Sequence, residues 1–355
     1  MAKLKLQKLR GEMAKQNIES LLVTSSYNLR YITNFTGSAG LALVTQEQAF
    51  FITDFRYTEQ ASKQVAEFEV IQAKTNLLEE AAEKAKELGI KVLAFEQDFV
   101  TYSSYLQYQE KMAAELHPVS GLIEKLRMIK TPEEISILKA AAKIADDAFE
   151  HICGFIKAGQ TELEISNELE FFMRKQGAAS SSFDTIVASG LRSALPHGVA
   201  TDKVVEHGDM ITLDYGALYK GYISDITRTV AVGEPSEKMK EIYQVVLDAQ
   251  VLGVEKMGPG MTGIEADAIA RDYIKSKGYG EAFGHSTGHG IGLEVHEGPG
   301  LSFKSQTVLE PGMAVTVEPG IYLPGIGGVR IEDDILITEP GNERLTNSTK
   351  ELRIL

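Results

Sequence analysis

The sequence predicts an α+β protein of two domains, with residues 1–122 forming a smaller α/β domain and residues 123–355 a larger domain of two similar halves. Three observations lead to this prediction. The chain has 355 residues, and at about 150 residues per domain this length suggests two domains. The first part alternates helical and strand patterns, which is typical of an α/β domain. The second part contains a diverged internal repeat.

The smaller domain is predicted from short apolar runs that alternate with amphipathic stretches. Helices are expected at residues 4–15 and 77–88, and strands at residues 20–24, 41–45, 49–53 and 92–95. No part of this region groups residue types that bind metals or carry out catalysis. A boundary is expected near Ser120-Gly121, because a long helix then opens at Thr131 with a proline and a capping-box glutamate, Glu134.

The internal repeat is visible in two pairs of matching segments. One pair is two helices that start after Thr161 and Thr262, each with a capping-box glutamate three residues later, at an offset of 101 residues. The other pair aligns residues 208–216 on residues 312–320 without gaps, at an offset of 104 residues. Two matches in the same order, with nearly equal offsets, predict two halves that face each other.

Each half of the repeat carries two carboxylates. Asp214 and Glu318 end apolar strands, and Asp225 and Glu332 are expected within the strands that follow. One such carboxylate alone would be interpreted as capping a turn. Four at equivalent places need another explanation, because clustered carboxylates repel one another strongly when they are buried. Two divalent cations would neutralise the four charges, so the pattern predicts a shared metal site.

Histidines are concentrated in a glycine-rich stretch of the second half. His285, His289 and His296 fall within 12 residues, and the glycines between them allow the backbone to pack closely. A lone histidine is more often a surface residue or a hydrogen-bonded core residue, but three in this setting indicate a functional cleft. The tripeptide Pro196-His197-Gly198 offers a fourth histidine for the same cleft.

Other catalytic motifs do not fit. Ser286 lies in a Gly-x-Ser-x-Gly pattern, but glycines follow it where a nucleophile elbow requires a helix. A zincin motif starting at His296 is incomplete, because position 300 is glycine. The single cysteine, Cys153, excludes an intrachain disulfide and is expected to be a small buried residue of an amphipathic helix.

In order and spacing, Asp214, Asp225, His289, Glu318 and Glu332 closely resemble the metal ligands of the pita-bread metallopeptidases. Within that group the chain is similar to the branch of Xaa-Pro dipeptidases (prolidases) and Xaa-Pro aminopeptidases. The matching stretches are residues 126–130, 213–216, 224–229, 287–292, 317–320 and 328–332, with a weaker match at residues 27–38. The resemblance implies a pita-bread (creatinase/aminopeptidase-like) catalytic domain after a creatinase-type N-terminal domain that narrows access and takes part in dimerisation.

The resemblance also implies a role for each site residue. Asp214 and Asp225 would hold one metal, His289 and Glu318 the other, and Asp225 and Glu332 would bridge both. Glu318 would accept the proton of a water that bridges the metals, and the resulting hydroxide would be the nucleophile. The residues expected around the substrate are His197, His285, His296 and Arg330, of which His197 and His296 are also expected to act in catalysis.

The cofactor and substrate expected from this resemblance are two divalent metal ions and short proline-containing peptides. Ligation mostly by carboxylates favours manganese, with cobalt, iron or zinc as alternatives. Gly300 stands where several dipeptidases of this branch have arginine, so the choice between dipeptidase and aminopeptidase stays open. A metal-free creatinase-like C–N hydrolase and an inactive peptide-binding relative are two rival interpretations, but both are expected to have lost ligands that this chain keeps.

The charge of the chain bears on its partners and location. The formal net charge is −14, and an acidic surface repels phosphate backbones, so no nucleic acid partner is expected. No apolar run reaches 18 residues and no signal-peptide core follows the basic N-terminus. We therefore expect a cytoplasmic protein without a membrane partner, and a homodimer by resemblance.

Overall fold

The computed structural model describes residues 2–355, which form two compact units that divide between Arg127 and Met128. The predicted boundary near residue 122 was therefore a few residues early. The reason is helix α6, Leu122–Met128, whose residues are tied to the first unit. Asn28 donates a hydrogen bond to Glu124, and the hydroxyl of Tyr31 donates to the carbonyl of Leu126 at 3.1 Å.

The first unit is an α/β domain around one mixed sheet of six strands. The strand order is β4-β3-β2-β1-β5-β6. The strands are β1 Ser20–Val23, β2 Leu41–Thr45, β3 Ala49–Thr53, β4 Glu69–Gln72, β5 Val92–Glu96 and β6 Glu115–Val119; the helices are α1 Ala2–Lys15, α2 Ser26–Thr33, α3 Thr58–Gln64, α4 Leu77–Glu87, α5 Tyr102–Lys111 and α6. The predicted helices and strands are confirmed, and β2 and β3 have the predicted bounds.

The second unit contains four long helices and thirteen short strands among its described residues. The helices are α7 Pro132–Cys153, α8 Glu162–Lys175, α9 Glu237–Lys256 and α10 Gly263–Ser276, with short 3-10 helices at Gly190–Ala194 and Gly280–Ala282. The strands are β7 Ser180–Ser181, β8 Ile186–Ser189, β9 Met210–Tyr215, β10 Ala217–Tyr219, β11 Tyr222–Ile223, β12 Ile226–Ala231, β13 Gly288–Gly290, β14 Glu297–Leu301, β15 Ala314–Val317, β16 Gly320–Leu323, β17 Gly327–Arg330, β18 Asp333–Thr338 and β19 Gly341–Arg344. The capping boxes predicted at Thr131, Thr161 and Thr262 are all present.

The internal repeat is built as two antiparallel strand pairs. In one half β9 pairs with β12, and in the other β15 pairs with β18. A small hairpin joins the strands of each pair, β10–β11 in the first half and β16–β17 in the second. This symmetry brings the ends of β9 and β15, which carry Asp214 and Glu318, to corresponding places in the two halves.

The prediction that Asp225 and Glu332 lie within strands was wrong by one residue in each half. Asp225 comes directly before β12, and Glu332 directly before β18. Their amides bond to the opposite half and not along a regular strand pair. The Asp225 amide donates to Asp334 Oδ2 at 2.9 Å, and the Glu332 amide donates to the Thr227 carbonyl at 3.1 Å.

Along β9 and β15, successive side chains point to opposite faces of the strand pair. This alternation determines which side chains face the space between the two halves. In β9, Ile211, Leu213 and Tyr215 belong to the hydrophobic core that includes residues of α7 and α8. Thr212 and Asp214 alternate with them and therefore point to the opposite face. In β15, Val315 and Val317 are likewise core residues. The alternation along these two strands therefore directs Asp214 and Glu318 away from the helices.

Candidate metal centre and peptide cavity

Three of the predicted carboxylates meet in one cluster. Ligand oxygens of Asp214, Asp225 and Glu332 all lie within 4.8 Å of one another. His289 connects this cluster to the fourth carboxylate, since its Nε2 lies 3.8 Å from Asp225 Oδ2 and 3.3 Å from Glu318 Oε1. The structure therefore brings all five predicted ligands together, and their role as metal ligands stays a prediction.

The carboxylates are buried in a way that leaves their charge poorly compensated. Burial, and then repulsion by neighbouring carboxylates, raises the pKa of Asp225 and of Glu332 well above the ordinary range. Burial also raises the pKa of Glu318 to about 8. Among the residues described, no donor reaches the buried Oδ1 atoms of Asp214 and Asp225. Oxygen atoms of this kind fit divalent cations, because a cation supplies both the missing charge and the missing partners.

The orientation of His289 also fits a ligand. Its Nδ1 lies 3.1 Å from the carbonyl of Gly290, an acceptor that requires the proton on Nδ1. Nε2 then carries the lone pair, and this is the nitrogen that faces Asp225 and Glu318. Burial lowers the pKa of His289 to about 4, so the imidazole is neutral near pH 7, as metal binding requires.

Several residues that hold these candidate ligands in place were missed by the sequence reasoning. The Thr227 hydroxyl donates to Glu332 Oε2 at 2.6 Å, and the Thr316 hydroxyl donates to Glu318 Oε1 at 3.2 Å. Thr316 precedes Glu318 by two residues at the end of the same strand, so the period of two offered a signal for it.

Arg330 was expected to bind substrate, and the structure gives it contacts within the protein. Its Nη2 donates to Asp214 Oδ2, its Nε donates to Thr227 Oγ1 at 3.1 Å, and its Nη1 donates to the Tyr322 hydroxyl at 2.8 Å. A further bond from Nη1 reaches the carbonyl of Pro196 at 3.2 Å. Arg330 lines the cavity described below, and these contacts orient Asp214.

The backbone of Glu332 is held by Arg228, which lies in the matching stretch 224–229 but was given no role from the sequence. The Arg228 side chain is 1% exposed, and it donates to the Glu332 carbonyl and to Asp333 Oδ1 at 2.7 Å. It also donates to the carbonyls of Ser348 and Thr349 at 2.8 and 3.0 Å. Burial would raise the pKa of Asp333, but Arg228 and Lys350 hold it at about 2. Asp333 therefore stays ionised beside the carboxylate cluster without belonging to it.

A cavity of about 570 Å³ opens beside the cluster. All five candidate ligands line it, together with the four predicted substrate residues His197, His285, His296 and Arg330. The rest of its wall is largely apolar, with the side chains of Phe183, Ile186, Pro196, Val199 and Val295. A cavity of this size admits a short peptide segment and offers an apolar wall to it.

His285 has a defined tautomer in this cavity. Its Nδ1 lies 2.8 Å from the carbonyl of Ser286, so Nδ1 carries the proton. Its Nε2 then accepts from the hydroxyl of Tyr322 at 2.8 Å. Burial lowers the pKa of His285 to about 4, which makes it neutral near pH 7. Tyr322 was not predicted, because its contact with His285 joins two segments that are far apart in the sequence, the loop before β13 and strand β16.

The remaining candidates from the sequence lie as follows. Ser286 lines the cavity, but no helix follows it, so it lacks the elbow of a serine nucleophile. Gly300 lies in β14 and is not among the described residues that line the cavity. Cys153 is half-buried at the end of α7, and burial raises the pKa of its thiol to about 11, which disfavours the reactive thiolate.

The fold and the acidic, histidine-containing cavity together define a metal-dependent hydrolase. The chain matches metallopeptidase family M24 over residues 136–339, and the creatinase/prolidase N-terminal domain over residues 5–129. The chain belongs to metallopeptidase family M24, and its catalytic unit has the pita-bread fold. Membership of this family implies divalent metal ions, without giving their identity.

Known proteins similar to this chain include both dipeptidases and aminopeptidases. An uncharacterized peptidase of Bacillus subtilis, YqhT, is 62% identical over 99% of this chain and 100% of its own length. The solved structure of an Xaa-Pro dipeptidase from Bacillus anthracis is 64% identical and covers 100% of both chains with a TM-score of 0.99. That of an X-Pro aminopeptidase from Thermotoga maritima is 41% identical and covers 97% of this chain and 100% of its own, with a TM-score of 0.91.

Residues 2–355 contain no helix with both the length and the apolar character needed to cross a membrane.

Proposed function

We propose that this metallopeptidase hydrolyses the Xaa-Pro bond at the N-terminus of short peptides with two divalent metal ions. The observation that carries the proposal is the meeting of Asp214, Asp225 and Glu332 with His289 and Glu318 at the wall of one cavity. The similar proteins support the specificity, since the names of two of them refer to Xaa-Pro or X-Pro bonds.

Asp214 and Asp225 would hold one metal, His289 and Glu318 the other, and Asp225 and Glu332 would bridge the two. When bound, the two ions would activate a water at neutral pH and polarise the carbonyl of the scissile bond. Four carboxylates and one neutral imidazole suit manganese, which we propose, with cobalt, iron or zinc as alternatives.

Glu318 is proposed as the group that moves the proton. It would take a proton from the attacking water and pass it to the leaving nitrogen, as a general base and then a general acid. Its Oε1 accepts from Thr316 at 3.2 Å and its Oε2 lies 4.0 Å from His285 Nδ1. Thr316 therefore fixes one oxygen of Glu318, and the other is left to face the cavity.

The histidines are proposed to bind the peptide around this centre. His296 lies against His289, with ring centroids 4.4 Å apart, and would stabilise the negative charge that develops on the scissile carbonyl. His197 would assist it, and His285 would orient the peptide from its position beside Tyr322. Arg330 would support this arrangement through Asp214 and Tyr322.

The preference for proline has a physical reason. An Xaa-Pro bond has no N–H, so a protease that grips its substrate as a β-strand handles this bond poorly. A cavity with an apolar wall can take the proline ring instead, and Phe183, Ile186 and Val295 offer such a wall. The similar proteins support both dipeptides and longer peptides as substrates.

The proposal can be tested by metal analysis and a substrate panel on the full chain. Protein purified without chelator should contain two metal equivalents, and manganese should restore activity after chelation. Ala-Pro and Ala-Pro-Ala should be cleaved after alanine, whereas Ala-Ala-Ala should be cleaved far more slowly. Full activity of metal-depleted protein would favour the metal-free creatinase-like hydrolase. Bound metal without cleavage of any peptide would favour the inactive relative.

A further inference from the structure

The cavity residue His197 lies on a segment, residues 190–201, that has little regular structure. After the 3-10 helix Gly190–Ala194 the chain makes turns, and one isolated bridge, Ile186 to Val199, links it to β8. This His197 segment contributes Pro196, His197 and Val199 to the cavity wall. Side-chain contacts therefore contribute to holding it in position.

One buried carboxylate joins the two ends of the His197 segment. Glu162, whose side chain is 0% exposed, accepts from the amide and the hydroxyl of Ser189 at 2.8 and 2.9 Å through Oε1. Its Oε2 accepts from the amide and the hydroxyl of Thr201 at 3.1 and 2.8 Å, and from Arg192 Nη1. The second terminal nitrogen of the Arg192 guanidinium, Nη2, donates to the carbonyl of Val199 at 2.9 Å. Val199 follows His197 by two residues.

Helix α8 does not need the Glu162 side chain in order to start. The start of α8 is already complete, because Thr161 and Glu164 form its capping box. The internal repeat provides a comparison, since α10 begins with the same capping box and has Gly263 at the position of Glu162. A helix of this kind therefore starts without the carboxylate. A buried carboxylate is unfavourable unless it is fully paired, so its use here points to a role in the segment that it binds.

We propose that Glu162 and Arg192 are positioning residues that hold His197 toward the bound peptide. The inference rests on the proposed function, in which His197 contacts substrate. Neither residue is a candidate metal ligand, so loosening this pair should change peptide turnover and leave the metal content intact. Other supports of the segment, from Arg330 to the carbonyl of Pro196 and from the Gly328 amide to Ser193 Oγ at 2.8 Å, would remain.

The test uses Arg192→Met in the full, metal-loaded chain. Glu162→Gln is less suitable, because its amide NH2 would face at least two hydrogen-bond donors in either orientation and the variant is at risk of not folding. We expect kcat/KM for Ala-Pro-Ala to fall about ten-fold or more, since small displacements of a positioning group have effects of this size. In a His197→Ala background the same change should have less than about a two-fold effect, because Arg192 is proposed to affect the peptide only through the position of His197.

The matched control is Arg174→Met. Arg174 also joins a carboxylate, Glu170, to a backbone carbonyl, that of Ala179, but none of these residues lines the cavity. It should keep wild-type kcat/KM. Hydrogen exchange gives a readout that needs no activity, and amides of residues 190–201 should exchange faster in Arg192→Met than in Arg174→Met.

Two results would overturn the inference: unchanged exchange of the His197 segment in Arg192→Met, or an equal loss of kcat/KM with and without His197. An inactive wild type with faster exchange in Arg192→Met would contradict the proposed function while supporting the role of Arg192 in holding the segment.

Discussion

We expect the metal-free protein to lose stability as the pH rises from 6.5 to 8. Burial raises the pKa of Glu318 to about 8, so without a cation the folded protein keeps a proton that the unfolded chain has already released. When the folded state binds more protons than the unfolded state, the free energy of unfolding decreases with increasing pH. His285 and His289 oppose this trend most strongly below pH 6.5 and more weakly up to about pH 7.5, because burial lowers their pKa from 6.5 to about 4 while the unfolded chain releases their protons only around pH 6.5.

The size of the effect follows from the number of protons. One proton corresponds to about 1.4 kcal/mol per pH unit, so the Glu318 proton, less the opposing effect of the two histidines, should lower the free energy of unfolding by about 1 kcal/mol between pH 6.5 and 8. For a unit the size of Met128–Leu355, this is a decrease in melting temperature of roughly 2–4 °C. Asp225 and Glu332, whose pKa values are also raised, add to the decrease.

The assay is calorimetry of the full chain after chelation, at several pH values and constant ionic strength, with and without saturating manganese. Bound cations keep the carboxylates ionised at every pH in this range, so the metal-loaded protein should lose the downward trend. In metal-free Glu318→Gln the decrease in melting temperature with rising pH should become smaller by about the amount that one proton contributes. The exposed substitution Glu281→Gln is the matched control and should keep the wild-type trend.

Two outcomes would refute this reasoning. One is a melting temperature of the metal-free protein that is constant or rises between pH 6.5 and 8. The other is a Glu318→Gln variant with the same decrease as the wild type, which would mean that the extra proton of the folded protein is not on Glu318.

Four further predictions follow from the site. Crystals grown with manganese should contain two ions about 3.5 Å apart, and density without an ion near Asp214 and Glu332 would contradict the proposed centre. Glu318→Gln should lose nearly all peptidase activity while the metal-loaded variant stays folded by circular dichroism; near-normal turnover would remove Glu318 from proton transfer. Ala-Pro-Ala should be at least as good a substrate as Ala-Pro. Gly300→Arg, whose Cβ would meet no atom within 4 Å, should shift kcat/KM toward the dipeptide by roughly ten-fold or more by pairing with its carboxylate; an unchanged ratio would count against a role for this position. Light scattering at micromolar concentration should give the mass of a homodimer, and a monomer would contradict that expectation.

The sequence predicted the parts of the fold that depend on local patterns. Strands β2 and β3 and the three capping boxes were located from alternation and from Thr-x-x-Glu spacing. Strands β4 and β6 were not singled out, because β4 is half-exposed and β6 contains Pro118, so neither has a continuous apolar pattern. Asp225 and Glu332 were assigned to strands because sequence alone does not reveal that their amides bond across the two halves.

The candidate site was predictable where residue type and repeat symmetry coincide. The four carboxylates and the glycine-flanked histidines have chemistry that the sequence displays directly. Tyr322 and Arg228 do not, because each acquires its role from partners far along the chain. Glu162 was noticed only as part of a helix start, and its contacts with Ser189 and Thr201 depend on how α8 packs against β8.

Because of the contacts of Arg228, formation of the complete candidate site also depends on how much of the chain the ribosome has synthesised. The buried guanidinium that holds the Glu332 carbonyl needs the carbonyls of Ser348 and Thr349 as acceptors. Until Ser348 and Thr349 have been synthesised and have left the ribosome, the Glu332 carbonyl lacks this support. Domains fold as units during translation, so the cavity should reach its final form only after residue 349 has left the exit tunnel. A peptidase assembled in this order would remain inactive while its own chain is still emerging.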